Sequence, residues 1–174
     1  MTDKLKKEAE NGNVQAQYEI ADCYWYGLGV RSSMKKAIEW YRWTAENGHI
    51  RAQCRLASCY RYGEGVKQSW KKCFEWYKTA AEQRDIEGLI GLAQCYYYGD
   101  GIQKSQKTAF LCLEEAAKQE DRHALRLLGN CYYLGHGVEK NGEKAIECYS
   151  VAAEKGDPEA WAMMGECYLF GVVA

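Results

Sequence analysis

The chain has 174 residues, 47% of them apolar and 27% charged, a balance that reads as soluble and folded. Its net charge of -1 argues against broad binding to nucleic acid or anionic membrane, which needs clustered positive charge, and no apolar run approaches the roughly 18 residues of a membrane span. The polar, lysine-rich start lacks the apolar core of a signal peptide; nine cysteines, an odd count with no Cys-x-x-Cys pair, then read as structural thiols of a reduced, cytoplasmic protein.

Residues 1–12 look like the end of a helix, because Glu8-Ala9-Glu10-Asn11-Gly12 parallels Thr44-Ala45-Glu46-Asn47-Gly48. Asn13 is a good N-cap, and its column, 36 residues apart, holds His49, Asp85, Asp121 and Asp157. A helix A is predicted from about Val14 to Tyr26, with Ala16, Ile20, Ala21, Cys23 and Tyr24 on one buried arc. Gly27-Leu28-Gly29-Val30 stops it with a tight turn. Ser33, Ser69, Ser105 and Asn141 then cap a helix B, which buries Ala37, Ile38, Tyr41 and Ala45. Lys35-Lys36 and Lys71-Lys72 read as solvated faces of that helix.

The same order recurs down the chain. Cys-Tyr pairs stand at Cys23-Tyr24, Cys59-Tyr60, Cys95-Tyr96, Cys131-Tyr132 and Cys167-Tyr168, each 36 residues after the last. A period in the mid-thirties means a helical array. One repeat domain, 1–174, is expected: an N-terminal half-repeat (1–12), full repeats at 13–48, 49–84, 85–120 and 121–156, and a final helix A (157–174) without its helix B.

The residues Ala16, Ile20, Ala21, Tyr24, Gly27, Gly29, Val30, Lys36, Ala37, Glu39, Trp40, Tyr41, Ala45, Glu46 and Gly48 form a pattern that resembles the Sel-one-like repeat (SLR) family. The resemblance covers nearly the whole chain and implies an all-α fold, a right-handed superhelical solenoid of antiparallel helix pairs, tetratricopeptide-like. It also implies an adaptor or scaffold; the residues themselves form no catalytic constellation, and neither catalysis nor a cofactor is expected. A cysteine-rich bacterial branch of that family carries disulfides and is linked to penicillin binding. Its paired cysteines flank the joint between helix B and the next helix A, where this chain has Glu46 and Glu82 and no second cysteine to pair with Cys54. An enzyme or lactam-directed ligand binder is the alternative that branch opens; a structural spacer within a larger protein is another.

On the helical wheel the face of helix A opposite the seam carries Tyr18, Asp22, Trp25 and Tyr26, then Arg51, Arg61 and Tyr62, then Gln94, Tyr97 and Tyr98, then His123, Arg126, Asn130 and Tyr133. These columns vary while the seam columns hold. Aromatic and arginine side chains favour protein-binding hot spots, so the expected function is a groove for a peptide or partner protein. No metal site is expected, since His49, His123 and His136 have no Cys or His at i+3 or i+4. A cysteine–histidine nucleophile such as Cys54 with His123 has to bridge repeats. The last helix carries Trp161, Met163, Met164, Leu169 and Phe170. Its apolar face is expected to be open, either because the natural protein continues or because this end forms a homodimer.

Overall fold

The structure is a computed structural model that describes residues 3–169. The elements among them are α1 (Asp3–Glu10), α2 (Val14–Tyr26), α3 (Met34–Glu46), α4 (Ile50–Tyr62), α5 (Trp70–Glu82), α6 (Ile86–Tyr98), α7 (Gln106–Ala117), α8 (Arg122–Leu134), α9 (Gly142–Glu154) and α10 (Pro158–Leu169), with no strand among the described residues. The protein is therefore all-α, and its elements follow the helix–turn–helix period. Expectations for Phe170 and the residues after it lie outside the described residues.

The helices begin where capping side chains satisfy orphan amides. Asn13 Oδ1 accepts from the Ala16 amide at 2.9 Å, Asp85 Oδ1 from Gly88 at 2.8 Å and Asp121 Oδ1 from Ala124 at 2.9 Å. Ser33, Ser69, Ser105 and Asn141 do the same for the second helix of each pair.

The Cys-Tyr signature has a backbone explanation as well as a side-chain one. Gly27 stands at φ 74, in the left-handed region, and its amide and that of Leu28 both reach the Cys23 carbonyl. The next carbonyl, of Tyr24, accepts from the Ser33 amide at 2.9 Å. Ser69 reaches Tyr60, Ser105 reaches Tyr96 and Asn141 reaches Tyr132 in the same way. Two of the four carbonyls left open at the end of each first helix are closed by the loop that follows. The cysteine side chains are buried at Cys23, Cys59, Cys95 and Cys131. The tyrosine ring receives a lysine: Lys36 lies 5.2 Å from the Tyr24 ring centre, Lys72 5.1 Å from Tyr60 and Lys144 5.3 Å from Tyr132. Lys36 and Lys72, expected as solvated charges, thus cover aromatic surface.

Contacts gather into two compact units, one ending at Gln83 and the other beginning at Arg84. In the first, α1 packs on α2, α2 pairs with α3, α3 meets α4 and α4 pairs with α5. Ala9, Ala16 and Ile20 form the core of its first joint. Buried Gln17 and Gln53 tie successive helices by donating to the carbonyls of Ala9 (3.0 Å) and Ala45 (3.1 Å). In the second unit, α6 pairs with α7, α7 meets α8, α8 pairs with α9 and α9 packs on α10. Its joint of α9 with α8 and α10 buries Ala145, Tyr149, Ala152, Ala153, Ala160 and Cys167.

The end of helix B needs a left-handed residue. Gly12, Gly48 and Gly156 supply it at φ 86, 87 and 83, but Arg84 and Glu120 occupy the same column at φ 60 and 57. A side chain there costs about 1–2 kcal/mol, partly offset by the smaller entropy of its unfolded state. Arg84→Gly is therefore expected to raise stability by about 0.5–1 kcal/mol, read as a higher urea midpoint with unchanged slope. An unchanged or lower midpoint contradicts the strain.

Candidate functional site

The variable columns of the first helices separate by burial. In the first unit Tyr18 is buried, stacked on His49 with ring centres 4.6 Å apart, and the Arg51 guanidinium lies 5.7 Å from the Tyr18 ring centre. Asp22 accepts the Tyr41 hydroxyl. These side chains join α2 to α3 and α4. The wheel put the Tyr18 column on the free face, but His49 at the start of the next helix A stacks on Tyr18, and Cys54 in the same column is only 1% exposed. Burial also removes Cys54 from any role as an exposed nucleophile.

Further along α2 and α4 the side chains reach solvent. Trp25 is half-buried against Tyr41, while Tyr26 and Tyr62 are 59% and 67% exposed. Arg61 lies 5.4 Å from the Tyr77 ring centre. Sequence reasoning missed Arg55. Its guanidinium sits 4.5 Å from Trp25 and 5.8 Å from Tyr26, and Nη2 donates to the Tyr26 hydroxyl at 3.0 Å. The signal was present: Glu19, Arg55, Gly91 and Leu127 form one of the most variable columns.

In the second unit Gln94, Tyr97, Tyr98 and Asn130 converge on one cleft of about 220 Å³, lined also by Leu113, Leu127, Leu134 and His136. Tyr97 meets Tyr98 edge-on at 4.9 Å, and its hydroxyl lies 3.3 Å from His136 Nδ1. Tyr98 is 68% exposed. Asn130 Oδ1 accepts from the Tyr149 hydroxyl at 2.7 Å. Tyr133 is half-buried under Lys140. His123 is exposed, and its ring Nδ1 lies 2.9 Å from Arg126. The Arg126 side chain is 11% exposed and holds the start of α10 through Asp157 at 3.2 Å and Glu159 at 3.0 Å. Burial raises the Asp157 carboxyl, but the Ala160 amide and Arg126 together outweigh it and leave it below its ordinary value. Arg126 is thus committed to packing.

His49 is the one histidine among the caps. Its Nδ1 accepts from the Ala52 amide at 3.2 Å and its Nε2 lies 3.0 Å from Gln15 Oε1. Burial, then the Arg51 charge, lowers its pKa below 6.5. The neutral ring is the capping form, so its contribution is present above pH 6.5 and fades as pH falls through 6.5 towards the lower folded value. Acidification from pH 7.5 to 5 should cost about 1 kcal/mol at this cap, and His49→Asp, the residue of the sister columns, should flatten that dependence. An equally steep profile in His49→Asp contradicts the assignment.

All nine cysteines are free thiols. Burial pushes Cys59, Cys131 and Cys148 up to about 11. At pH 8 such a thiol holds about 100-fold less thiolate than one at its ordinary value. Iodoacetamide should therefore label the half-buried Cys148 about 100-fold more slowly in the native chain than in guanidinium, where nine thiols become reactive. Rapid native labelling of Cys148 contradicts this. Among the described residues no group of His, Cys, Asp and Glu gathers as metal ligands, and no helix is long and apolar enough to cross a membrane.

The Sel1 repeat model matches residues 14–49, 50–85, 86–121, 122–157 and 158–173. Three solved structures are similar. An SLR-fold protective antigen present in uropathogenic Escherichia coli strains is 30% identical with a TM-score of 0.90, over 98% of this chain and 37% of the antigen. A Sel1 repeat protein from Oxalobacter formigenes is 35% identical with a TM-score of 0.82, over 90% of this chain and 64% of that one. Helicobacter pylori cysteine rich protein B is 25% identical with a TM-score of 0.59, over 75% of this chain and 93% of that one. The chain thus spans little over a third of the antigen and just under two thirds of the Oxalobacter protein. Among curated proteins none matches.

Proposed function

This chain belongs to the Sel1 repeat family, whose members are generally non-catalytic protein-interaction scaffolds, and we propose that it binds a peptide or partner protein through the exposed ends of its first helices. The observation that carries this reading is one column. Tyr26, Tyr62 and Tyr98 occupy the same place in successive repeats and are all more than half exposed, whereas the helix B tyrosines Tyr41 and Tyr149 are fully buried. Exposed tyrosines offer large, stiff contact area at low entropic cost. Arg55 and Arg61 bring cations beside this surface for acidic groups of a partner, and both already rest on aromatic rings.

The test compares capture of proteins from lysate by the wild type and by a Tyr26→Ala, Tyr62→Ala variant. Neither residue sits in a core, so circular dichroism should be unchanged. A specific partner held by the wild type should be lost, with at least tenfold weaker binding when the purified pair is measured. Equal retention by the folded variant would move the site elsewhere on the chain.

A further inference from the structure

We propose that the cleft in the second unit receives the phenol ring of a tyrosine presented by the partner polypeptide. This deepens the scaffold reading and rests on it. The cleft exists because one column breaks. Three repeats place a tyrosine in the middle of helix B, at Tyr41, Tyr77 and Tyr149, and the repeat between the last two has Leu113.

The walls of the cleft are the positions that surround those rings elsewhere. Tyr41 donates its hydroxyl to Asp22 and packs on Trp25; 72 residues on stand Gln94 and Tyr97, both in the cleft. Arg55, whose charge acts on Tyr41 from the next helix A, corresponds to Leu127. Tyr149 donates to Asn130, again the Gln94 column, and lies against Gly129, the Ala93 column. Gln94, Tyr97, Leu127 and Ala93 therefore frame a ring site whose ring is missing. A cavity of about 150 Å³ takes benzene, so 220 Å³ is room for one six-membered ring and little more. The amide of Gln94 stands in the column whose members accept the phenols of Tyr41 and Tyr149, which selects a ring carrying a hydroxyl over a plain one.

The experiment titrates the whole chain, with 13C-labelled leucine methyls, with p-cresol, toluene and N-acetyltyrosinamide. Saturable shifts at Leu113 and Leu127 are expected with p-cresol and N-acetyltyrosinamide, and about tenfold weaker ones with toluene, which lacks the hydrogen bond. Leu113→Tyr restores the residue of the other repeats and should fold, fill the site and abolish the Leu127 shifts. Should that variant not fold, Gln94→Leu serves instead and should erase the preference for p-cresol over toluene. Absent shifts, equal response to toluene, or Leu127 shifts that persist in folded Leu113→Tyr overturn the proposal. Binding of p-cresol without N-acetyltyrosinamide overturns the polypeptide source. The titration needs no partner, so its failure is distinct from a failure of the Tyr26→Ala, Tyr62→Ala comparison.

Discussion

Tyr149→Ala should cost about 3–5 kcal/mol in urea unfolding, the range for deleting a fully buried aromatic side chain. Tyr149 is 0% exposed and sits at the centre of the joint formed by Ala145, Ala152, Ala153 and Ala160. Small residues cannot close over the void. Gly129 lets the ring lie directly on the α8 backbone: a Cβ there would meet Tyr149 Cε1 at 2.5 Å. The hydroxyl is held by Asn130 at 2.7 Å, and burial raises its pKa. Tyr149→Phe keeps the ring and loses the bond, so it should cost about 1–2 kcal/mol. A Tyr149→Ala loss below 1 kcal/mol would mean that the ring is not the keystone of this joint.

Gly137→Ala is expected to be nearly as damaging, at about 3 kcal/mol or more. Its Cβ would stand 2.1 Å from the Gln106 carbonyl oxygen, 2.4 Å from that carbonyl carbon and 2.8 Å from the Lys107 nitrogen. These are backbone atoms at the start of α7, and no rotamer change moves them. Gly135 provides the control. It has the same φ of 76, but its Cβ would meet nothing closer than 3.5 Å. Gly135→Ala should therefore show only the left-handed penalty of about 1–2 kcal/mol. Equal losses in the two variants would remove the steric argument.

Features that depend on a few neighbouring residues were legible in the sequence. Asn13, Asp85 and Ser33 cap helices because the capping oxygen and its amide lie three residues apart, and the turn glycines follow from local backbone needs. Tyr18 and Arg126 were harder. A wheel gives directions around one axis and says nothing of what the next helix brings against it. The next helix A stacks His49 on Tyr18 and brings Asp157 to Arg126. Leu113 was readable as a break in a tyrosine column, but the cleft it leaves depends on the neighbours not closing in, which only coordinates reveal.

The loop bonds bear on how such a chain can change length. Ser33 closes on Tyr24, and the amides of Gly48 and His49 close on Ala45 and Thr44, so the segment 14–49 satisfies these turn amides from within itself. Insertion or deletion of one whole segment leaves no turn amide without its carbonyl. The cost falls on side chains alone: a duplicated third segment would copy Leu113 and its vacancy, and loss of that segment would remove it. The proposed ring site can thus be gained or shed in steps of one period, while insertion of a single residue within a helix would turn the faces beyond it by about 100° against their neighbours.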